Sequence, residues 1–253
     1  MKMFLAYYAY MVTDIVDAPT MVYFGALGNR IEGRYLKQKQ PTSPAVLILP
    51  PDPRYGGSIK NKIIKMLEKI FQDCNLTTLA INYQGSGKSE GRFQKYENGL
   101  ETASVSLDWL QAQNADASHF WIAGYSFGAC VAADLGTRRP EIENFVFVSP
   151  LIKQYDISFM CPALCNGLII TGEKDEFINH NDLNKLVSKM NEGCNIEVTN
   201  LVINEAGHRF DEKEEQLAAE IANYVNIKLA TRIAKPVRKK RRKRQKKEIN
   251  NAE

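Results

Sequence analysis

Apolar residues along this chain arrive in two alternating rhythms. Short runs rich in Val, Ile, Leu and Phe, alternating with polar residues or unbroken, predict strands over residues 22–26, 31–37, 45–49, 77–83, 120–124, 145–149, 168–171 and 197–203. Between them, apolar positions fall three, four and seven apart, as on one face of a helix. Ile63, Met66, Leu67, Ile70 and Phe71 make one such face, and Leu100, Ala103, Leu107 and Leu110 a second. A third helix follows Ser126 and runs to Arg138 and Arg139, ahead of Pro140. Leu183, Leu186, Val187 and Met190 mark a fourth, closed near Gly193. The last is expected to open at Asp211, with Glu214 three residues on as a capping box, and carries Leu217, Ile221, Tyr224 and Val225. Two opening strands followed by repeated strand–helix units predict an α/β protein: an eight-stranded, mostly parallel sheet with helices on both faces.

At 253 residues and 44% hydrophobic, the chain is long enough to bury a substantial core as a single domain. The net charge of +4 divides unevenly. Residues 235–253 hold ten Lys/Arg and two Glu, a surplus of +8, so the remainder carries −4. The chain therefore reads as an N-terminal extension over residues 1–20, a globular domain over 21–232 and a basic tail over 233–253. The tail has no hydrophobic period and is expected to be solvated and disordered.

The apolar run from Phe4 to Val12 is short, is followed by Asp14 and Asp17, and lacks a small-residue cleavage site. No apolar stretch reaches the roughly 20 residues of a membrane helix. Five cysteines, at 74, 130, 161, 165 and 194, are an odd number set in apolar surroundings, which fits reduced thiols in a cytoplasmic protein. Cys161 and Cys165 have no partner pair at zinc spacing, and neither a metal nor an organic cofactor is expected.

Residues 85–89, Gly-Ser-Gly-Lys-Ser, look like the end of a phosphate-binding loop. That loop needs G-x-x-x-x-G-K-[ST] between a strand and a helix. Asn82 stands where its first glycine belongs, and Glu90-Gly91-Arg92 is a poor helix start. Nucleotide binding is not expected.

The stretch FWIAGYSFG, residues 120–128, reads as a strand, then G-x-S-x-G, then a helix, which is the pattern of a nucleophile elbow. Such a turn exposes the serine above the sheet, the glycines allow close backbone passage, and the helix start offers N–H groups and a favourable dipole to a developing oxyanion. Ser126 is thus the candidate nucleophile and the Phe127 N–H a candidate oxyanion donor. The partners of such a serine follow in the order acid, then histidine. Asp175 lies at the end of the seventh strand, with Glu173, Glu176 and Asp182 as competitors. Of three histidines, His119 precedes the elbow and His180 sits beside a helix start. His208, in the loop after the eighth strand, remains as the candidate base.

From about residue 22 to 225 the chain resembles a family of small bacterial α/β-hydrolases related to dienelactone hydrolases and prolyl-peptidase-type catalytic domains. The stretches that carry the resemblance are RIEGRY, PPDPRYGGS, INYQGSGKSEG, DWLQAQN, GYSFG, RRPEIE, GEKDE and AGHRF. It implies the α/β-hydrolase fold, a triad on Ser126, Asp175 and His208, and a structural turn, not a phosphate cradle, at Gly85–Ser89. Members usually carry His-Pro-His-Pro after the third strand, in the loop that supplies the second oxyanion donor. Here that stretch is Pro50-Pro51-Asp52-Pro53. Proline has no N–H, which leaves the backbone of Asp52 or Arg54, or the Tyr55 hydroxyl. An Asp52 carboxylate beside an oxyanion is unfavourable unless it points away or is paired, with Arg54 the candidate partner.

The connection LIKQYDISFMCPALCNG is too short for a large lid and predicts an open site. Tyr155, Ile157, Phe159 and Met160 either line one wall or pack on the sheet. Two functions follow. One is a serine hydrolase acting on a small acyl substrate, an ester or, as a near variant, a short peptide. The other is a protein that binds nucleic acid or an anionic surface through residues 235–247, without sequence preference and without aromatic residues for base stacking.

Overall fold

The computed structural model describes residues 18–26, 28–193 and 196–233. The first seventeen residues, Cys194 and the basic tail from residue 234 onward lie outside the described residues. Among the described residues eight strands form one sheet: β1 (Thr20–Ala26), β2 (Asn29–Leu36), β3 (Ala45–Leu49), β4 (Thr77–Ile81), β5 (Phe120–Tyr125), β6 (Ile142–Val148), β7 (Asn166–Gly172) and β8 (Val198–Ile203). Their order across the sheet is β1-β2-β4-β3-β5-β6-β7-β8. The β1–β2 and β2–β4 pairs are antiparallel, and β3 through β8 run parallel. This is the expected mostly parallel sheet with a mixed edge. β3 and β4, AVLIL and TTLAI, are buried at every position. A central strand is covered on both faces, which suits the unbroken apolar run of β3, and in β4 it buries Thr77 and Thr78 together with Leu79, Ala80 and Ile81.

Among the described residues five α-helices cover the sheet: α1 (Lys62–Asp73), α2 (Tyr96–Gln113), α3 (Phe127–Arg138), α4 (His180–Met190) and α5 (Glu214–Ile233). Apolar residues of α2, α3 and α4, among them Leu107, Val131 and Leu183, pack with one face of the sheet. Ile63, Leu67 and Phe71 of α1 join Leu217 and Ile221 of α5 against Trp121 on the other. None of these helices is long and apolar enough to cross a membrane.

Most boundaries lie within two residues of the sequence pattern, and two element starts lie three residues from it. β6 begins at Ile142, because Asn144 is carried within the strand and pairs with Trp121 and Asn166. α5 begins at Glu214, not Asp211. Phe210 and Glu212 take φ of 53° and 63°, outside the helical region, and Asp211 and Glu214 both accept from Lys62 at the start of α1. The Asp211–Glu214 capping box therefore does not form.

Candidate active site

Ser126 caps the junction of β5 and α3 with φ 58° and ψ −119°, a conformation L residues rarely adopt and that persists only where the surroundings impose it. The surroundings here are backbone. A Cβ on Gly128 would lie 2.2 Å from the Leu49 carbonyl oxygen, and one on Gly124 would lie 2.4 Å from the carbonyl group of Gly128. The Ser126 N–H donates to Val148 O at 2.9 Å. Behind the turn, the Phe127 ring is fully buried, with Tyr83, Phe93, Tyr96 and Tyr155 packed around it at 5.5–5.7 Å. The tight elbow can thus form only with glycines at both flanking positions.

The parallel sheet carries all three sequence candidates to the same end of the strands. His208 Nε2 is 3.0 Å from Ser126 Oγ, and His208 Nδ1 is 2.9 Å from Asp175 Oδ2 and 3.1 Å from Oδ1. Burial pushes the Asp175 carboxyl up, but hydrogen bonding and charge from His208, the nearby Ser149 hydroxyl and the Phe177 N–H together hold it below its ordinary value. Two of the three competing acids are engaged elsewhere: Glu173 accepts from the Glu205 N–H, and Asp182 lies near Lys185 in the first turn of α4. Burial, with the charge of Arg232 added to it, pushes the His119 imidazole down to about 4, while His180 Nε2 lies 3.1 Å from Glu173 O. Neither enters the site.

Two further residues hold His208, and the sequence pattern pointed to neither. Tyr125 stacks on the imidazole at 5.4 Å, and its hydroxyl donates to His208 O at 3.0 Å. Phe177 meets the ring edgewise at 4.8 Å. The only available signal was adjacency, since Tyr125 is the variable residue of the elbow and Phe177 follows Asp175 by two.

A cleft of about 490 Å³ opens above Ser126, lined by Pro51, Asp52, Tyr55, Asn61, Tyr125, Leu151, Gln154, Phe177 and His208. Tyr155, Ile157, Phe159 and Met160 do not form its wall. Ile157 and Met160 are buried in the core and Tyr155 packs on Phe127, so Leu151 and Gln154 take that place. In the loop after β3, the Arg54 N–H donates to Asp52 Oδ1 and the Tyr55 N–H to Asp52 O. Pro51 and Pro53 have none to give. The Asp52 N–H is left as the loop donor without a partner among the described residues. The Tyr55 side chain, 89% exposed, stands out at the rim.

The Gly-Ser-Gly-Lys-Ser turn is filled by protein groups. Glu32 Oε2, from β2, accepts from Asn82 Nδ2 and from the Lys88 N–H, both at 2.7 Å. A Cβ on Gly87 would lie 2.1 Å from that Asn82 nitrogen. The anion seated here is the protein's own carboxylate. Asn82 Oδ1 in turn accepts from the Ile59 N–H, and the Ser86 hydroxyl donates to Gly57 O, so the turn braces the segment that follows the Asp52 loop. Among the described residues four cysteines are free thiols, with burial pushing Cys130 and Cys165 up to about 12. No group of His, Cys, Asp or Glu suited to a metal occurs among the described residues.

Comparison with known proteins agrees with this architecture. The family model described as serine aminopeptidase, S33, matches residues 61–164. An uncharacterized protein of Rickettsia prowazekii is 38% identical over 208 residues, covering 81% of this chain and 87% of the relative. A crystal structure from Agrobacterium tumefaciens, of a protein of unknown function described as a candidate α/β hydrolase, superposes with a TM-score of 0.81 at 37% identity. The match covers 84% of this chain and 97% of that one. A Xanthomonas campestris protein, described as an α/β serine hydrolase without a lid, shares the fold with a TM-score of 0.72 at 19% identity, over 83% and 94% of the two chains. The chain belongs to the small bacterial α/β-hydrolase family.

Proposed function

We propose that the protein is a serine hydrolase that cleaves small carboxylic esters through an acyl-enzyme. The observation that carries this reading is the unbroken contact chain from Ser126 Oγ through His208 to Asp175 at the floor of a cleft. Ser126 Oγ adds to the acyl carbon while His208 Nε2 takes its proton. Asp175 accepts from Nδ1–H and stabilises the imidazolium. Negative charge collects on the carbonyl oxygen, where the N–H groups of Phe127 and Asp52 serve as donors. His208 then protonates the departing alkoxide, and a water activated by the same imidazole releases the acid and restores Ser126.

The same chemistry would cleave an amide, and the match to a serine aminopeptidase family makes that the competing reading. An aminopeptidase must hold the substrate's ammonium group. Both carboxylates near Ser126 are already engaged, Asp52 by Arg54 and Asp175 by His208, which favours neutral acyl substrates. The test is labelling with a fluorophosphonate probe, with Ser126→Ala as control. Mapping should find the adduct on Ser126; an adduct elsewhere, or none on folded protein, refutes the proposal.

A further inference from the structure

The loop after β3 carries a carboxylate where a hydrolase tolerates one least. Asp52 lines the cleft beside Ser126, and its side chain is only 7% exposed. An unpaired anion there would oppose the negative charge that gathers on the substrate oxygen, and in a partly dry site like charges a few ångströms apart repel strongly. The sequence supplies the remedy two residues on. Arg54 Nε lies 3.1 Å and 3.0 Å from the two Asp52 oxygens, Arg54 NH2 lies 2.6 Å from Oδ2, and the Arg54 N–H donates to Oδ1 at 2.8 Å. The guanidinium lies over the Phe93 ring at 5.6 Å, with Tyr155 beside it. A planar fork matches a carboxylate better than a flexible ammonium does.

The pair is also built into the local backbone. Asp52 caps the short 3-10 turn Pro53–Tyr55, and Gly56, with φ 79°, closes it. The Asp52 carbonyl accepts from the N–H groups of Tyr55 and Gly57, so the residue is fixed by its oxygens while its own N–H stays free of partners among the described residues.

We propose that Arg54 is a positioning residue for hydrolysis. It holds and neutralises the Asp52 carboxylate, so that the Asp52 N–H can act as an oxyanion donor in the loop where two prolines donate nothing. This inference rests on the reading of Ser126 as nucleophile with Phe127 and Asp52 as donors. It assigns Arg54 no contact with substrate. An ordinary exposed ion pair is worth little, and its loss would leave turnover untouched.

The experiment uses the full chain, a neutral p-nitrophenyl ester, and the variants Arg54→Ala, Arg54→Lys and Arg54→Ala with Asp52→Asn. Melting temperatures check that each is folded. In Arg54→Ala, kcat should fall about 10- to 100-fold with KM within about twofold, because the interaction acts on charge that develops only in the transition state. Arg54→Lys, which keeps the charge but loses the fork, should fall between. Adding Asp52→Asn to Arg54→Ala should recover most of the lost kcat, since it removes the stranded charge. A kcat for Arg54→Ala equal to the parent's overturns the inference. So does a double variant as slow as Arg54→Ala, because Arg54 would then act through its own charge. In either case Ser126-dependent hydrolysis by the parent would leave the hydrolase reading standing. Absence of such hydrolysis in the parent overturns both.

Discussion

Replacing Glu32 with Ala tests whether the Gly-Ser-Gly-Lys-Ser turn is a brace or a ligand site. The Glu32 carboxylate, 6% exposed, is the acceptor for both Asn82 Nδ2 and the Lys88 N–H. Stranding a buried donor costs about 1–3 kcal/mol, toward the upper end where the lost acceptor was charged. Two stranded donors therefore put the cost of Glu32→Ala at about 3–5 kcal/mol. In a domain of this size, each kcal/mol lowers Tm by about 2–4 °C, so a fall of roughly 6–20 °C is expected. Lys88→Ala should change stability by no more than about 0.5 kcal/mol, because the fold uses only its backbone N–H and its side chain is exposed. A phosphate cradle predicts the opposite order of importance, with the lysine side chain essential and the upstream glutamate irrelevant. Denaturant and thermal unfolding of both variants, beside calorimetric titration of the parent with magnesium-ATP, decide the matter. A neutral Glu32→Ala, or micromolar nucleotide binding lost in Lys88→Ala, would refute the reasoning.

Two further outcomes follow from charge. The Asp175 carboxyl is held below its ordinary value in the folded protein, so its contribution to stability is present above the unfolded value near ~3.9 and is lost as pH falls through the folded value. Unfolding free energy should thus fall more steeply with acidification in the parent than in Asp175→Asn, and parallel curves would refute the assignment. Deleting residues 235–253 should leave Tm and ester hydrolysis nearly unchanged but abolish binding to nucleic acid or anionic vesicles, which in the parent should weaken by orders of magnitude from low to moderate salt. Retained salt-sensitive binding after the deletion would place the basic surface on the body instead.

The helix that precedes those residues ends far from the elbow. Arg232, at the end of α5, donates to Ser118 O at 3.0 Å and pairs with Glu143, beside the starts of β5 and β6. Ser126 sits at the opposite end of β5. The last described helix thus ends at the edge of the sheet opposite the elbow, which is why deletion of residues 235–253 and hydrolysis are expected to be independent.

What could be read from the residues, and what could not, divides along a physical line. Strands such as AVLIL and the Gly124–Gly128 elbow were legible because a few adjacent side chains, or their absence, dictate the backbone there. Ser126, Asp175 and His208 could be singled out because each follows a strand of a parallel sheet, which delivers strand ends to one edge whatever lies between. Sequence order carries no such information about Tyr125 and Phe177, which act on His208 across 83 and 31 positions, or about Glu32, which fills a turn more than 50 residues away. The Asp211 capping box failed for a related reason. Its pattern was locally sound, but Lys62 drew both carboxylates to α1, and the left-handed backbone at Phe210 and Glu212 delayed the helix. Ile157 and Met160 show the same competition on the apolar side: a short connection with nothing periodic in it buries these two in the core rather than presenting them to the cleft. Local preference thus prevails where few partners compete for a group, and yields where burying a side chain such as Phe210, Ile157 or Met160 in the core offers a larger gain.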